Sequence, residues 1–216
     1  MSQPSLRLTE IFYSLQGESS LSGLPTVFIR LTGCPLRCVY CDTAYAFEGG
    51  QRWTFEAVLE EVAQYGPRYV CVTGGEPLAQ PECLNLLSAL CDEGYVVSLE
   101  TSGAISVEGV DSRVLKIMDL KTPSSEESSR NLWSNLDFLN KTDQIKFVVG
   151  SDDDFDWLEA KCLQYQLPEK VDEILVSPVY GSYSLEKLAE RILQSPHPMR
   201  MQMQLHKLIW NDAQGK

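Results

Sequence analysis

Cys34, Cys38 and Cys41 stand at the spacing C-x3-C-x2-C in the stretch LTGCPLRCVYCDTAYAF (31–47). Thiolates gathered this closely bind soft metals and iron–sulfur clusters. A closed structural zinc site takes four ligands, commonly as two separated pairs, and no second pair follows here; the two histidines, His197 and His206, lie far along the chain. A 4Fe–4S cube held by three cysteines keeps one iron open, and an open metal position is a mark of chemistry. The other cysteines, Cys71, Cys83, Cys91 and Cys162, fall in strand-like or helix-like stretches and read as small buried hydrophobes.

Further polar groups recur at the ends of apolar runs. VTGGEPL (72–78) brings Thr73, Gly74, Gly75 and Glu76 together. Adjacent glycines let backbone approach a ligand closely, and a glutamate can accept hydrogen bonds from an amine or a ribose; the plain alternative is a strand-end turn. LETSGA (99–104) offers Glu100 and Ser102, and MDLKTPSS (118–125) offers Lys121 and Ser124. These four are expected near a ribose, a carboxylate or the substrate, with ordinary turns and caps as the alternative. Upstream, FYSLQGES (12–19) sets Gln16, Gly17 and Glu18 in a row, a set of donors and acceptors suited to a heterocycle edge or to a polar hairpin turn. Arg30 sits inside the apolar run VFIRL and needs a partner, either an anionic substrate or an internal carboxylate. Asp42 and Thr43 follow the last cysteine, where a hydroxyl oxygen could ligate Mg²⁺.

These groups must be positioned by strands and helices. TVFIRL (26–31), RYVCVT (68–73), YVVSLE (95–100), VLKIMDL (114–120), QIKFVV (144–149) and EILVSPV (173–179) read as short strands buried on both faces. Helical patterns lie between them at 54–66, 81–94, 152–166 and 184–194. The second has Leu84, Leu87 and Cys91 on one face and ends at Gly94, and Asp152 to Asp154 suit the N-terminus of the third. Strand–helix alternation implies right-handed βαβ units and a parallel sheet. About six parallel strands, fewer than the eight of a closed barrel, predict an α/β partial (β/α) barrel with its site at the C-terminal strand ends. TPSSEESSRN (122–131) reads as a functional loop or mobile lid, and 194–210 as a last connection with an apolar strand-like tail. One domain over 1–216 is expected.

Composition narrows the function class. A net charge of −12 argues against a basic groove for nucleic acid and favours a small or neutral substrate. No apolar run approaches the ~20 residues of a membrane helix. The start, MSQPSLRLTE, has no apolar h-region, and seven cysteines, an odd number, fit a reducing compartment, so a cytoplasmic protein is expected.

With Tyr40 before its last cysteine, the C-x3-C-x2-C loop resembles the radical S-adenosylmethionine superfamily, and Gly-Gly-Glu one βα unit later resembles that superfamily's amino-group motif. L-Q-G-E, F-I-R-L, C-D-T, T-G-G-E-P, E-T-S-G and the late L-H-K together resemble the 7-carboxy-7-deazaguanine synthases, from Glu10 to Lys207. The resemblance implies a Mg²⁺-dependent ring contraction of 6-carboxy-5,6,7,8-tetrahydropterin to 7-carboxy-7-deazaguanine with loss of ammonia, a step toward queuosine-type nucleosides. It implies that Cys34, Cys38 and Cys41 hold the cluster and that Thr43 contacts Mg²⁺. Leu15, Gln16, Gly17, Arg30 and Thr73, with Glu18 and His206, would bind the pterin. Tyr40, Asp42, Gly74, Gly75 and Glu76 would contact S-adenosylmethionine. A reducing partner such as flavodoxin and a homodimer are implied as well. One departure is Ser19, where the family commonly has glycine; another is the tail running past His206 to Lys216. The rival readings are a glycyl-radical activating enzyme, a non-catalytic iron–sulfur electron carrier and a structural zinc module.

Overall fold

The structure is a computed structural model and describes residues 4–211 and 213–216. Among these, nine strands form one sheet in the order β3-β1-β2-β4-β5-β6-β7-β8-β9. At one edge, β1 (Ser5–Leu15) lies antiparallel to both β2 (Pro25–Leu31) and β3 (Gln51–Thr54). From β2 onward the sheet is parallel, through β4 (Tyr69–Gly74), β5 (Val96–Thr101), β6 (Leu115–Asp119), β7 (Gln144–Val149), β8 (Glu173–Pro178) and β9 (Arg200–Met201). The six parallel strands expected from the sequence are β2 and β4 to β8. β9 adds a short seventh, and β1 and β3 extend the sheet on the other side.

Side chains alternate across the strands. Outward positions such as Val27, Ile29, Val70, Val72, Val97 and Leu99 pack under α1 (Phe55–Gln64) and α2 (Cys83–Asp92). A second apolar cluster joins Met118, Ile145, Phe147, Val149, Ile174 and Val176 to α3 (Asp152–Tyr165), α4 (Leu167–Lys170) and α5 (Leu185–Gln194). Cys83, Cys91 and Cys162 lie in these two cores, as their helical settings suggested. Inward positions are polar instead: Arg30, Thr73, Glu100, Asp119 and Lys146 border one shared cavity, so the inner face of the sheet is concave.

Local signals set the helix ends. The hydroxyls of Thr54, Ser151 and Ser184 accept from the backbone N–H groups of Ala57, Asp154 and Lys187 and cap α1, α3 and α5. Gly94 closes α2 in the left-handed region (φ +86°), where a side chain would be strained.

The structure corrects the strand-like reading of the tail. Beyond Met201 the chain leaves the sheet and forms α6 (Leu205–Trp210). The ladder stops because β8 ends at Pro178, which has no N–H to donate to a longer partner. The segment 122–131 is a chain of tight turns tied at several points. Ser125 Oγ donates to the Thr122 carbonyl (2.6 Å), and the Asn131 side chain bridges the Lys121 backbone N–H and C=O (2.8 and 2.9 Å).

Candidate active site

The three-cysteine loop leaves the C-terminal end of β2 and is closed on itself by the Gly33 N–H, which donates to the Ala46 carbonyl at 2.8 Å. Gly33 adopts φ +100°, which lets the chain turn at the loop's root. The turns of 122–131 brace the loop from outside: Val39 N–H reaches the Ser125 carbonyl (3.3 Å) and Arg37 N–H reaches Glu127 Oε1 (2.5 Å). Cys34, Cys38 and Cys41 are half-buried and all border the cavity. Burial raises each thiol above its usual value, Cys38 to about 11, so thiolate formation has to accompany metal binding. Among the described residues no three His, Cys, Asp or Glu side chains converge on a single-ion position. A cubane ligates each cysteine at a different iron and does not ask for that convergence, so three half-buried thiols on one loop fit it.

Gly74 and Gly75 lie against the root of this loop. Gly75 N–H donates to the Leu31 carbonyl (3.1 Å) and Glu76 N–H to the Gly33 carbonyl (2.8 Å). A Cβ on Gly75 would come within 2.7 Å of the Gly33 carbonyl carbon and 2.8 Å of Cys34 Cβ. The glycine pair therefore serves close backbone packing beside the cysteines. Both glycines border the cavity with Thr73. Glu76 lies behind them, fully buried. Its carboxylate accepts from Leu78 N–H (3.0 Å), Thr101 Oγ1 (3.0 Å), Ser102 N–H (2.7 Å) and Ser102 Oγ (2.5 Å). It ties the end of β4 to the end of β5 from outside the cavity lining, and Ser102 keeps a place on the wall.

Leu15, Gln16, Gly17 and Glu18 line the same cavity. Gln16 follows β1 at the start of a hairpin turn, with its N–H on the Leu24 carbonyl (2.9 Å) and its carbonyl accepting from Gly23 N–H (2.8 Å). Its side-chain amide donates to Glu100 Oε1 (3.2 Å). Ser19, the departure from glycine, adopts φ +66° and keeps the turn, with Oγ accepting from Leu21 N–H (3.1 Å).

The cavity floor carries alternating charge. Arg30 finds the internal carboxylate that was one of its two expected partners: Nε meets Glu10 Oε1 at 2.8 Å. Lys146 Nζ pairs with Glu18 Oε2 and lies 3.6 Å from Asp119 Oδ2, which is also 3.1 Å from Lys121 Nζ. Burial opposes the charge on Lys146, yet Glu18, Asp119 and Glu100 hold its pKa above the ordinary lysine value. Burial, and then the neighbouring Glu18, push the Glu100 carboxyl up. The Tyr40 phenol is raised to about 12 by burial and by Asp119; it reaches Thr122 Oγ1 and the Val148 carbonyl, each at 3.4 Å.

At the mouth, Thr43 Oγ1 donates to Asp42 Oδ1 (2.8 Å). Asp42 Oδ2 faces Lys207 Nζ (3.6 Å) and His206 Nε2 (3.9 Å), both on α6. α6 is fixed to the Q-G-E turn by Leu205 N–H on the Gly17 carbonyl (3.0 Å), and the His206 ring packs on Gly17 where a Cβ would stand. Adjacent hard oxygens at Asp42 and Thr43, both on the cavity wall, fit a magnesium ion.

Of the residues singled out in the sequence, Ser124, like Glu76, stands apart from the cavity. Its N–H donates to Asp154 Oδ1 (2.9 Å) and it is not part of the cavity lining. The cavity, about 590 Å³, also has walls that sequence reasoning missed: Asp119, Lys146, Lys207, and Phe12 stacked on Phe28 at 4.9 Å. The signal for Lys146 was available. A lysine inside QIKFVV poses the same question as Arg30 inside VFIRL. Lys116 poses it too, but there the answer is structural, a buried pair with Asp143 at 2.9 Å.

Residues 28–112 match the Radical SAM superfamily. A 7-carboxy-7-deazaguanine synthase of Chlorobaculum tepidum is 44% identical over 97% of this chain and 97% of its own length. One from Methanospirillum hungatei is 44% identical over 94% of this chain and 85% of its own. Among solved structures, QueE from Escherichia coli superposes with a TM-score of 0.78 at 25% identity, covering 94% of this chain and 95% of that one. No helix among the described residues is long and apolar enough to cross a membrane.

Proposed function

The chain belongs to the 7-carboxy-7-deazaguanine synthase family of radical S-adenosylmethionine enzymes, and from that premise we propose that its cavity contracts 6-carboxy-5,6,7,8-tetrahydropterin to 7-carboxy-7-deazaguanine with release of ammonia. The observation that carries this reading is the meeting of three sequence-distant segments on one cavity. These are the cysteine loop, the Gly74–Gly75 turn and the Gln16–Glu18 turn.

When bound, the 4Fe–4S cluster with S-adenosylmethionine supplies the radical that takes a hydrogen atom from the substrate. Cys34, Cys38 and Cys41 would hold the cluster. Tyr40, Asp42, Gly74, Gly75, Ser102 and Lys121 border the space for S-adenosylmethionine. Glu76 acts by keeping the β4 and β5 ends in register, and Ser124 by its tie to α3. Leu15, Gln16, Gly17, Glu18, Arg30, Thr73, Glu100 and His206 form the substrate side. There the amide of Gln16 and the carboxylates of Glu18 and Glu100 suit the N–H and C=O edge of a pterin. Arg30, with one nitrogen on Glu10, supports a carboxylate. Thr43, with Asp42 beside it, offers Mg²⁺ its oxygens near that carboxylate. The stacked pair Phe12–Phe28 gives the cavity an apolar side suited to a flat ring, and α6 packs over Gly17.

A cytoplasmic, homodimeric enzyme served by a flavodoxin-like reductant completes the reading. The reduced compartment agrees with seven free cysteines, and the reductant is what a reducible cluster requires. The test is an anaerobic assay of reconstituted protein with dithionite, S-adenosylmethionine, Mg²⁺ and the tetrahydropterin, read by ultraviolet absorbance and mass spectrometry. Formation of 7-carboxy-7-deazaguanine is expected. Cleavage of S-adenosylmethionine with the pterin returned unchanged would overturn the substrate assignment.

A further inference from the structure

Glu18 lies in the cavity wall with nine-tenths of its side chain buried. Its two oxygens are treated differently. Oε2 is taken by Lys146 Nζ, while Oε1 is buried with no hydrogen-bond partner among the described residues. A buried carboxylate oxygen left unpaired is costly, and such groups in folded proteins point to a missing donor. Lys146 is itself held from the far side by Asp119 Oδ2 (3.6 Å), which Lys121 shares (3.1 Å). It extends from the inward face of β7, two strand positions from Gln144, whose amide meets Ser20 in the same turn that carries Glu18. The turn is thus fastened to β7 at two points, one at a backbone N–H and one at a carboxylate. The second fastening decides which oxygen of Glu18 is left without a partner.

We propose that Lys146 is a positioning and specificity-determining residue: it clamps Oε2 of Glu18 and so reserves Oε1 for the exocyclic amine of the substrate's heterocycle. This rests on the pterin reading above. A site built around an acceptor rejects an analogue that lacks the matching N–H, because the buried oxygen is then left unpaired. Freed of the clamp, the Glu18 carboxylate loses its fixed orientation against β7, and the amine is no longer sensed. Asp119 has the lesser part of keeping the ammonium from swinging away.

The experiment compares kcat/KM for 6-carboxy-5,6,7,8-tetrahydropterin with that for its analogue lacking the exocyclic amino group, in the reconstituted wild type, in Lys146→Met and in the double variant Glu18→Gln/Lys146→Met. The double variant removes both charges and guards against misfolding from a lone buried carboxylate. The wild type is expected to prefer the natural substrate by a hundredfold or more, and both variants by less than tenfold, with the loss appearing mainly as a raised KM. A merely structural role for Lys146 lowers both substrates alike and leaves their ratio unchanged. A ratio within twofold of wild type in both variants therefore overturns the inference while the functional reading stands. A wild type that converts neither compound overturns that reading and the inference with it.

Discussion

The amide of Glu76 donates to the carbonyl oxygen of Gly33 at 2.8 Å, so the Gly-Gly-Glu turn and the cysteine loop are one hydrogen-bonded unit. The three-cysteine loop and the glycine pair are therefore not positioned independently. A disturbance at the end of β4 is passed to Cys34 through backbone alone.

Gly75→Ala tests that coupling. Its Cβ would press on the Gly33 carbonyl and on Cys34 Cβ, neither of which is the end of a flexible side chain. Overpacking of this kind costs about 1–3 kcal/mol. We expect a lowered thermal midpoint and iron loading below half of wild type. Gly23→Ala has open space around its Cβ and only its backbone conformation to strain (φ +86°), so it should lose some stability and load iron normally. Iron analysis and thermal melts on both variants decide the matter.

The cysteines divide into two sets with different losses. Cys38→Ala removes a cavity-wall thiol and should abolish the cluster, seen as loss of iron, sulfide and the visible absorbance band. Cys162→Ala removes a thiol from the core under β7 and β8. It should keep its cluster and lose on the order of 1 kcal/mol of stability, the scale of a small core deletion.

Glu100 makes a pH prediction. Its pKa is raised in the folded protein, chiefly by burial and then by Glu18. Between the ordinary glutamate value and that raised value the folded state binds more protons than the unfolded state, so stability falls as pH rises through this window. Glu100→Gln lacks the titration. The difference in unfolding free energy between the two proteins should move in favour of Glu100→Gln as pH increases across the window. Denaturant titrations at a series of pH values measure it, and a flat difference counts against the assignment.

Lys116 and Asp143 form an ion pair with side chains 2% and 1% exposed. The carboxylate also accepts from the backbone N–H groups of Lys116 (2.9 Å) and Asn140 (2.7 Å). Lys116→Met leaves that charge buried without its cation and should cost about 3–5 kcal/mol. Because Lys116 shares the outward face of β6 with Met118, away from the cavity, turnover per folded molecule should be retained. Chemical denaturation alongside the anaerobic assay separates the two effects.

Much of the fold was legible because its signals are local. Apolar strand runs, Asp152 to Asp154 at the start of α3, and Gly94 after α2 mark their elements without reference to distant chain. The tail was not legible, since the alternation in 200–208 looks like a strand. What ends β9 is the proline of a neighbouring strand, and no local window contains both.

The sequence by itself determined the chemistry on offer: three thiols at fixed spacing, a glycine pair that permits backbone contact, and polar groups at strand ends. Spacing within one loop carries that information, and the near-complete match to one enzyme family agrees with it. Only the tertiary structure decided which polar residues face the cavity and which brace it. Glu76 became a tie between strands, Arg30 took Glu10 as its partner, Lys116 turned outward to Asp143, and Lys146 turned inward to Glu18. The physical reason is that a charge in a buried strand must be answered by a group distant in sequence. The pleat and the curl of the sheet choose that group.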